Sequence, residues 1–73
     1  MGANQHVVSL GEGWAVRAEG ALQPLGVFKT QGEAWERAKA IARRERSEAV
    51  LHGRNGLIRA RNAYGYDPRR SKG

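Results

Sequence analysis

The sequence contains no cysteine and only two histidines and two prolines among its 73 residues. The absence of cysteine excludes disulfide bonds and thiolate metal sites. The histidines, His6 and His52, are too few to hold a structural zinc ion without carboxylate ligands. Apolar runs fall far below the roughly 18 residues of a membrane span, and the first residues lack the features of a signal peptide. We therefore expect one small cytoplasmic domain with a single apolar core and no cofactor.

Acidic residues are fewer than basic residues in this sequence. Thirteen Lys and Arg stand against seven Asp and Glu, which gives a formal net charge of +6 and a pI of about 10.8. On so short a chain, this imbalance favours a polyanionic partner such as nucleic acid. The alternative is a solvated basic surface that only keeps the protein soluble, and composition by itself does not separate the two.

The segment from Thr30 to Arg46 predicts an amphipathic helix around which the rest of the chain is organised. Thr30 and Glu33 form a capping box, in which the threonine hydroxyl accepts from the Glu33 amide and the glutamate side chain reaches back. At about 100° per residue, one arc of this helix carries the apolar residues Ala34, Trp35, Ala38, Ile41 and Ala42. We expect this stripe to pack on a sheet, with Trp35 largely buried.

Five shorter stretches, rich in β-branched and apolar residues, predict strands at 6–10, 14–18, 27–29, 49–52 and 57–61. Their order around the helix, β-β-(β)-α-β-β, predicts an α+β domain. We expect an antiparallel sheet of four to five short strands, built from two hairpins, with the helix packed on one face. In this interpretation residues 1–5 are a disordered N-terminus, residues 6–66 form the domain, and residues 67–73 are a flexible basic tail.

Alternation along the strands assigns side chains to the two faces of the sheet. In the first hairpin, the expected helix-facing residues are Trp14 and Val16 from one strand and Val8 and Leu10 from the other. Arg17 is then left on the opposite, open face.

The second hairpin is indicated by Asn55-Gly56 between two apolar runs. This dipeptide is typical of a type I′ turn, which needs φ > 0 at both central residues. In the strand that follows, Ile58 and Ala60 are expected to point inward. The residues expected to point outward are Leu57, Arg59 and Arg61.

Arginines dominate the face that this pattern leaves open. Arg17, Arg59 and Arg61 share it by alternation, and Arg54 lies at the tip of the second hairpin. A sheet face rich in arginine can lie along phosphates or reach guanine edges in the major groove. We therefore predict a non-enzymatic nucleic-acid-binding protein, with duplex DNA as the expected partner. The candidate binding residues, including two from the tail, are Arg17, Arg54, Arg59, Arg61, Arg69 and Arg70.

Other functions find less support in the sequence. The acids and histidines show neither metal-ligand spacing nor a nucleophile beside a base, so we expect no enzymatic activity. His52 precedes the hairpin turn and is expected to support it or to face solvent. Trp14 and Trp35 lie on apolar faces and are expected in the core instead of stacked on bases. The alternative function is a small protein-interaction or homo-oligomerisation module whose exposed strand edges pair with a second copy or another partner.

A resemblance to a known family runs through most of the chain. The residues that carry it are His6-Val7-Val8, 13–17, Glu19-Gly20, Thr30-Gln31, Glu33-Ala34, 41–45, 52–56, Ile58-Arg59, Tyr64-Gly65 and Asp67-Pro68. In this order and spacing, the chain resembles the small bacterial proteins of the domain-of-unknown-function family DUF2188. The resemblance implies no catalytic residues, because the family has no assigned function.

The chain also departs from the family pattern. Arg46 stands just past the helix, where members often carry glycine as a left-handed cap, so the arginine must extend the helix or adopt a strained cap. Around the second hairpin, Asn55, Ala60 and Asn62 replace residues that tend to be acidic, which makes this chain more basic than the pattern.

A looser similarity covers residues 14–42. A strand with a tryptophan, a short strand and then a helix is similar to the arm-type DNA-binding domains of phage integrases. That similarity implies a sheet lying in the major groove with the helix bracing it from behind, and it is an analogy of pattern only.

Overall fold

The computed structural model describes residues 2–65, which form five strands and one helix. These elements are β1 (Gln5–Leu10), β2 (Gly13–Ala18), β3 (Gly26–Phe28), α1 (Gln31–Glu45), β4 (Glu48–His52) and β5 (Ile58–Ala63). Each predicted element is present, with bounds that differ by one or two residues. The predicted α+β architecture with one helix on one face of the sheet is confirmed.

The sheet has the strand order β3-β2-β1-β4-β5. Neighbouring strands are antiparallel except for β1 and β4, which run parallel. Helix α1 carries the chain from β3 back over the sheet, so that β4 begins beside the start of β1. The sheet is therefore mixed, a feature that the expectation of antiparallel hairpins did not include.

Helix α1 begins with the capping box that its sequence predicts. The Thr30 hydroxyl accepts from the Glu33 amide at 3.1 Å, and the Glu33 carboxylate accepts from the Thr30 amide at 3.4 Å. The helix ends at Arg46, whose φ of 59° and ψ of 50° are left-handed. Of the two options for Arg46, the strained cap is the one adopted. For a residue with a Cβ, this conformation costs roughly 1–2 kcal/mol.

The core lies between α1 and the sheet. Five sheet residues, Val7, Trp14, Val16, Ala49 and Leu51, pack against the helix residues Ala34, Ala38, Ile41 and Ala42. Register pairs Val7 with Val16, so Val7 is the β1 residue that faces the helix. The expectation that Val8 and Leu10 face the helix is wrong, and Leu10 is 49% exposed. The phase with Val8 and Leu10 is the more apolar one, but Val7 in the other phase is equally suited to the core, and one step of register exchanges the two faces.

Trp35 is only half-buried, contrary to the expectation that it is a largely buried core residue. It lies at the edge of the apolar stripe, and Lys39 Nζ stands 5.3 Å from its ring centroid. Trp14 on β2 is the buried indole, with 6% exposure. The position of Trp14 in the core was expected and is confirmed.

The second hairpin forms, but not with the predicted type I′ turn. Gly56 has a positive φ of 88°, whereas Asn55 does not. The Gly56 amide donates to the Gly53 carbonyl at 2.9 Å, and the Gly53 amide donates to Leu57 O at 2.8 Å. This is a four-residue turn closed by a left-handed glycine. A register shift follows between Leu51 and His52, where β5 contributes an extra residue.

Residues 2–5 are not the frayed start that we expected. The Gly2 amide donates to Glu45 O at 3.0 Å, and Asn4 Oδ1 accepts from the Glu48 amide at 2.9 Å. Gln5 is buried as the first residue of β1. The predicted tail at 67–73 lies outside the described residues. Within residues 2–65, α1 is too short and too polar to cross a membrane.

Candidate nucleic-acid interface

No helix or strand of residues 2–65 packs on the sheet face opposite α1, which we call the open face, although Ala15 and Val50 at its centre are only 3% exposed. Strand register places Arg17 of β2 opposite His6 of β1, His6 opposite Val50 of β4, and Val50 opposite Arg61 of β5. One row of side chains thus crosses four strands, with an arginine at each end. Three strand spacings separate the two arginine backbones by roughly 14 Å.

Arg17 and Arg61 are the two predicted arginines that the structure brings to the open face. Arg17 is exposed, and no carboxylate among the described residues forms an ion pair with it. The Arg61 side chain is 56% exposed, with Nε 3.8 Å from Glu48 Oε1. An exposed pair at this distance contributes little to stability and leaves the guanidinium available to a ligand.

Arg54 lies at the tip of the second hairpin, as predicted, but it binds the protein itself. Its Nη1 and Nη2 donate to the carbonyls of Gly11 and Glu12 at 2.9 and 2.7 Å. Its guanidinium carbon stands 4.6 Å from the Trp14 ring centroid, which is stacking distance. Arg54 therefore joins the two hairpin turns on the helix side, and we remove it from the binding face.

Arg59 also lies on the helix side, which corrects its assignment to the open face. Its Nη1 donates to Oε1 of Gln31, the first residue of α1, at 2.9 Å. The cause is the β5 bulge: Ala60 pairs with Leu51 and Ile58 pairs with His52, so Arg59 is the extra residue. Ile58, which was expected to point inward, is 51% exposed opposite His52. A single inserted residue reverses the alternation of a strand.

The remaining predicted residues, Arg69 and Arg70, lie outside the described residues. Tyr64 N donates to Ser47 O at 3.0 Å, and Gly65 packs so closely on the Arg46 carbonyl that a Cβ would overlap it. The end of the described chain is therefore held beside the C-terminus of α1.

Three cations on the helix, Lys39, Arg43 and Arg44, have local partners. Arg43 and Arg44 occupy the last turn, where they complement the helix dipole. Arg43 stands 5.5 Å from the Tyr64 ring centroid. Lys39 Nζ pairs with the carboxylate of Glu36, three residues before it on the helix, at 3.0 Å.

The open face also carries a hydrogen-bonded chain that sequence reasoning missed. His6 Nδ1 lies 3.0 Å from His52 Nε2, and His6 Nε2 lies 3.1 Å from Glu19 Oε1. Asn4 donates to the same Glu19 oxygen at 3.3 Å. His52 therefore does more than support the turn. Alternation places His6 on the same face of β1 as Val8 and Leu10, but only the parallel pairing of β1 with β4 brings His52 beside it.

Glu19 is an ionised acceptor in this chain. The hydrogen bond from His6, together with that from Asn4, holds the pKa of the Glu19 carboxyl below its ordinary value of 4.5. Each of these bonds favours the charged form of the carboxylate. A shallow cavity of about 430 Å³ adjoins the chain and is lined by His6, Arg17, Glu19 and His52 among others.

The two histidine rings meet head to head. Their centroids are 5.2 Å apart, close to the largest separation that a 3.0 Å contact between ring nitrogens permits. The two nitrogens therefore lie near the line between the ring centres, so an N–H of one ring points at a lone pair of the other. If the two nitrogens instead pointed their lone pairs at a shared metal ion, the ring centroids would be closer together than they are. Among residues 2–65, no three His, Cys, Asp or Glu residues are arranged to hold a metal ion.

Comparison with known proteins identifies relatives but assigns no activity. The sequence profile of a family described as "Uncharacterized protein conserved in bacteria (DUF2188)" matches residues 5–64. The "Uncharacterized protein YdaT" of Bacillus subtilis (strain 168) is 40% identical over 58 residues, which cover 80% of this chain and 39% of that protein. The chain thus spans well under half of this curated relative. No solved structure matches the chain, and the similarity to integrase arm domains remains an expectation from the sequence.

Proposed function

The chain belongs to the DUF2188 family of bacterial proteins, and we propose that it is a non-enzymatic nucleic-acid-binding protein that contacts duplex DNA through the open face. The observation that carries this proposal is the row Arg17–His6–Val50–Arg61, which presents two exposed arginines on an uncovered sheet. Their backbones are roughly 14 Å apart, comparable to the major-groove width of about 12 Å. Two guanidinium groups at this spacing can contact phosphates on both sides of the groove. The proposal places the protein in the cytoplasm.

The surrounding charge supports the same face. Both arginines lie near the end of the sheet where β1 and β4 begin, which is also the end at which α1 finishes with Arg43, Arg44 and Arg46. The described chain ends there as well, at Gly65. These five arginines outnumber the three carboxylates at this end, Glu19, Glu45 and Glu48, and such an excess of positive charge steers a polyanion toward it.

The proposal is tested by removing the same charge from two different surfaces. The double variant Arg17→Gln with Arg61→Gln changes the open face. The helix variant, Lys29→Gln with Arg37→Gln, changes exposed positions just before and on α1, away from the end of the sheet that carries Arg17 and Arg61. Binding of a fluorescent random duplex is measured by anisotropy across a salt series. We expect the open-face variant to bind more weakly and to lower the slope of log K against log salt by about two, roughly 0.9 per lost phosphate contact.

The helix variant is the matched control, since it loses the same two charges. We expect it to keep most of the affinity and almost all of the salt slope. Equal losses in both variants would mean that only overall charge matters, and a larger loss in the helix variant would place the binding face on α1. Circular dichroism of each variant verifies that the fold is retained.

A second candidate function, homo-oligomerisation, is favoured by exposed apolar side chains on and beside the sheet. Val27 on the edge strand β3 is 60% exposed and Ile58 on the edge strand β5 is 51% exposed. Edge strands with exposed apolar residues can pair with a second copy of the chain. Sedimentation at micromolar concentration should then give twice the mass of the chain. A mass that stays that of one chain, with duplex binding intact, would leave DNA binding as the function.

A further inference from the structure

Hydrogen bonding fixes the proton positions along the chain Glu19–His6–His52. An ionised carboxylate can only accept, so Glu19 Oε1 takes its hydrogen bond from His6 Nε2–H. A neutral imidazole with one N–H has a lone pair on its other nitrogen, so His6 Nδ1 accepts and His52 Nε2–H donates to it. By the same reasoning, Nδ1 of neutral His52 bears a lone pair. No hydrogen bond from the described residues reaches that atom.

One proton can be added to the Glu19–His6–His52 hydrogen-bond network without breaking either of its hydrogen bonds. When His52 Nδ1 is protonated, Nε2–H still donates to His6, and His6 still donates to Glu19. The open face then gains one positive charge and one N–H donor. A second proton, on His6 Nδ1, would place two donors 3.0 Å apart and break the contact between the rings. The arrangement therefore accepts a single proton with little rearrangement.

The charges around His52 decide what the added proton does. On the open face, Arg17 of β2 lines the same cavity, and Glu19 follows β2 at the far side of His6. Glu48, at the start of β4, has its carboxylate 3.8 Å from Arg61 of β5. Of the two carboxylates, one accepts from His6 and the other is near an arginine, so neither is hydrogen-bonded to His52. A protonated His52 is therefore free to donate Nδ1–H to an oxyanion.

We propose that protonated His52 Nδ1 is a phosphate-binding position on the open face, so that the Glu19–His6–His52 chain makes nucleic-acid binding proton-dependent. This inference rests on the proposed function and names how the same face is regulated. The ligand is a phosphate group of the nucleic-acid backbone, to which His52 Nδ1–H donates. Because one proton is taken up with each complex, affinity rises as pH falls, by at most about tenfold per pH unit.

The small number of histidines makes the experiment specific. Histidine is the side chain that ordinarily changes charge between about pH 5 and 8, and the chain has only two histidines. Anisotropy with the labelled random duplex is measured at one salt concentration from about pH 8 to 5.5. Three proteins are compared: the unmodified chain, His52→Gln, which cannot take up the proton, and His52→Arg, which bears a permanent charge there.

We expect the unmodified chain to bind several-fold more tightly at the acidic end. His52→Gln should bind at all pH values as the unmodified chain does at the alkaline end, and His52→Arg should bind tightly with almost no pH dependence. A pH-independent affinity of the unmodified chain, or an unchanged pH dependence in His52→Gln, would overturn the inference and leave the proposed function standing. An absence of duplex binding at every pH and salt concentration would overturn both.

Discussion

At the scale of single residues, backbone conformation and register matter more than residue type. Arg54 and Arg59 belong to the same basic set as Arg17 and Arg61, but they make structural contacts on the opposite side of the sheet. Arginine serves both purposes because its planar guanidinium can donate to two carbonyls at once or to a phosphate. Only the direction of each side chain separates the structural arginines from those available to a ligand.

Arg46 provides a test of strain at one residue. Its left-handed backbone is the conformation that glycine adopts without a steric penalty. We expect Arg46→Gly to raise the free energy of unfolding by roughly 1 kcal/mol, measured by urea denaturation. Arg46→Ala is the control, since it removes the same side chain but keeps the Cβ. A gain of equal size in both variants would assign the effect to the lost charge and not to the backbone.

At the scale of elements, the stability of the fold depends on how α1 docks on β1, β2 and β4. The helix contributes small side chains at the contact, chiefly Ala34, Ala38 and Ala42, and these let it approach the sheet closely. The large side chains come from the strands, with Trp14 as the largest buried one. Most of the stabilisation from buried apolar side chains therefore comes from the strands.

The two tryptophans test this division. Trp14→Ala removes a buried indole and also the ring on which Arg54 stacks, so we expect it to lower the free energy of unfolding by about 3–5 kcal/mol. In a domain this small, such a loss approaches the whole stability. Trp35→Ala should cost clearly less, because Trp35 is half-buried at the edge of the interface. Thermal melts of both variants measure the difference, and a larger loss for Trp35 would contradict the core described above.

At the scale of the whole molecule, the parallel pairing of β1 and β4 is the feature from which the open face follows. It brings together residues 46 positions apart in the sequence, His6 and His52, and it completes the row from Arg17 to Arg61. The two ends of this row come from separate hairpins. The row therefore exists only when the whole sheet is assembled.

The pH dependence of stability tests whether Glu19 is hydrogen-bonded to His6 in the folded sheet. The pKa of Glu19 is lowered in the folded state, so its contribution to stability is present above its ordinary value of 4.5 and is lost as pH falls through the lowered pKa. We expect Glu19→Gln to be less stable than the unmodified chain at pH 7, with the difference shrinking in acid. Urea denaturation between about pH 7 and 3 measures it. Glu12→Gln, at an exposed turn glutamate, is the control and should show a nearly constant difference.

The sequence by itself determined the elements of this protein. Capping residues, helical periodicity and glycine turns act within a few residues, so the helix, the strands and both hairpins could be predicted. The helix-facing stripe and the burial of Trp14 could be predicted for the same reason. The left-handed cap at Arg46 was one of two options left open by its departure from the family pattern.

Tertiary structure alone decided which of these residues share a surface. The choice between Val7 and Val8 as core residues depends on register, because both are apolar and one step along a strand reverses its faces. The bulge in β5 moved Arg59 to the helix side through a single extra residue. The meeting of His6 with His52 needs the parallel contact that α1 creates by returning the chain over the sheet. Such contacts between distant segments form only when apolar burial assembles the whole sheet, so no local pattern encodes them.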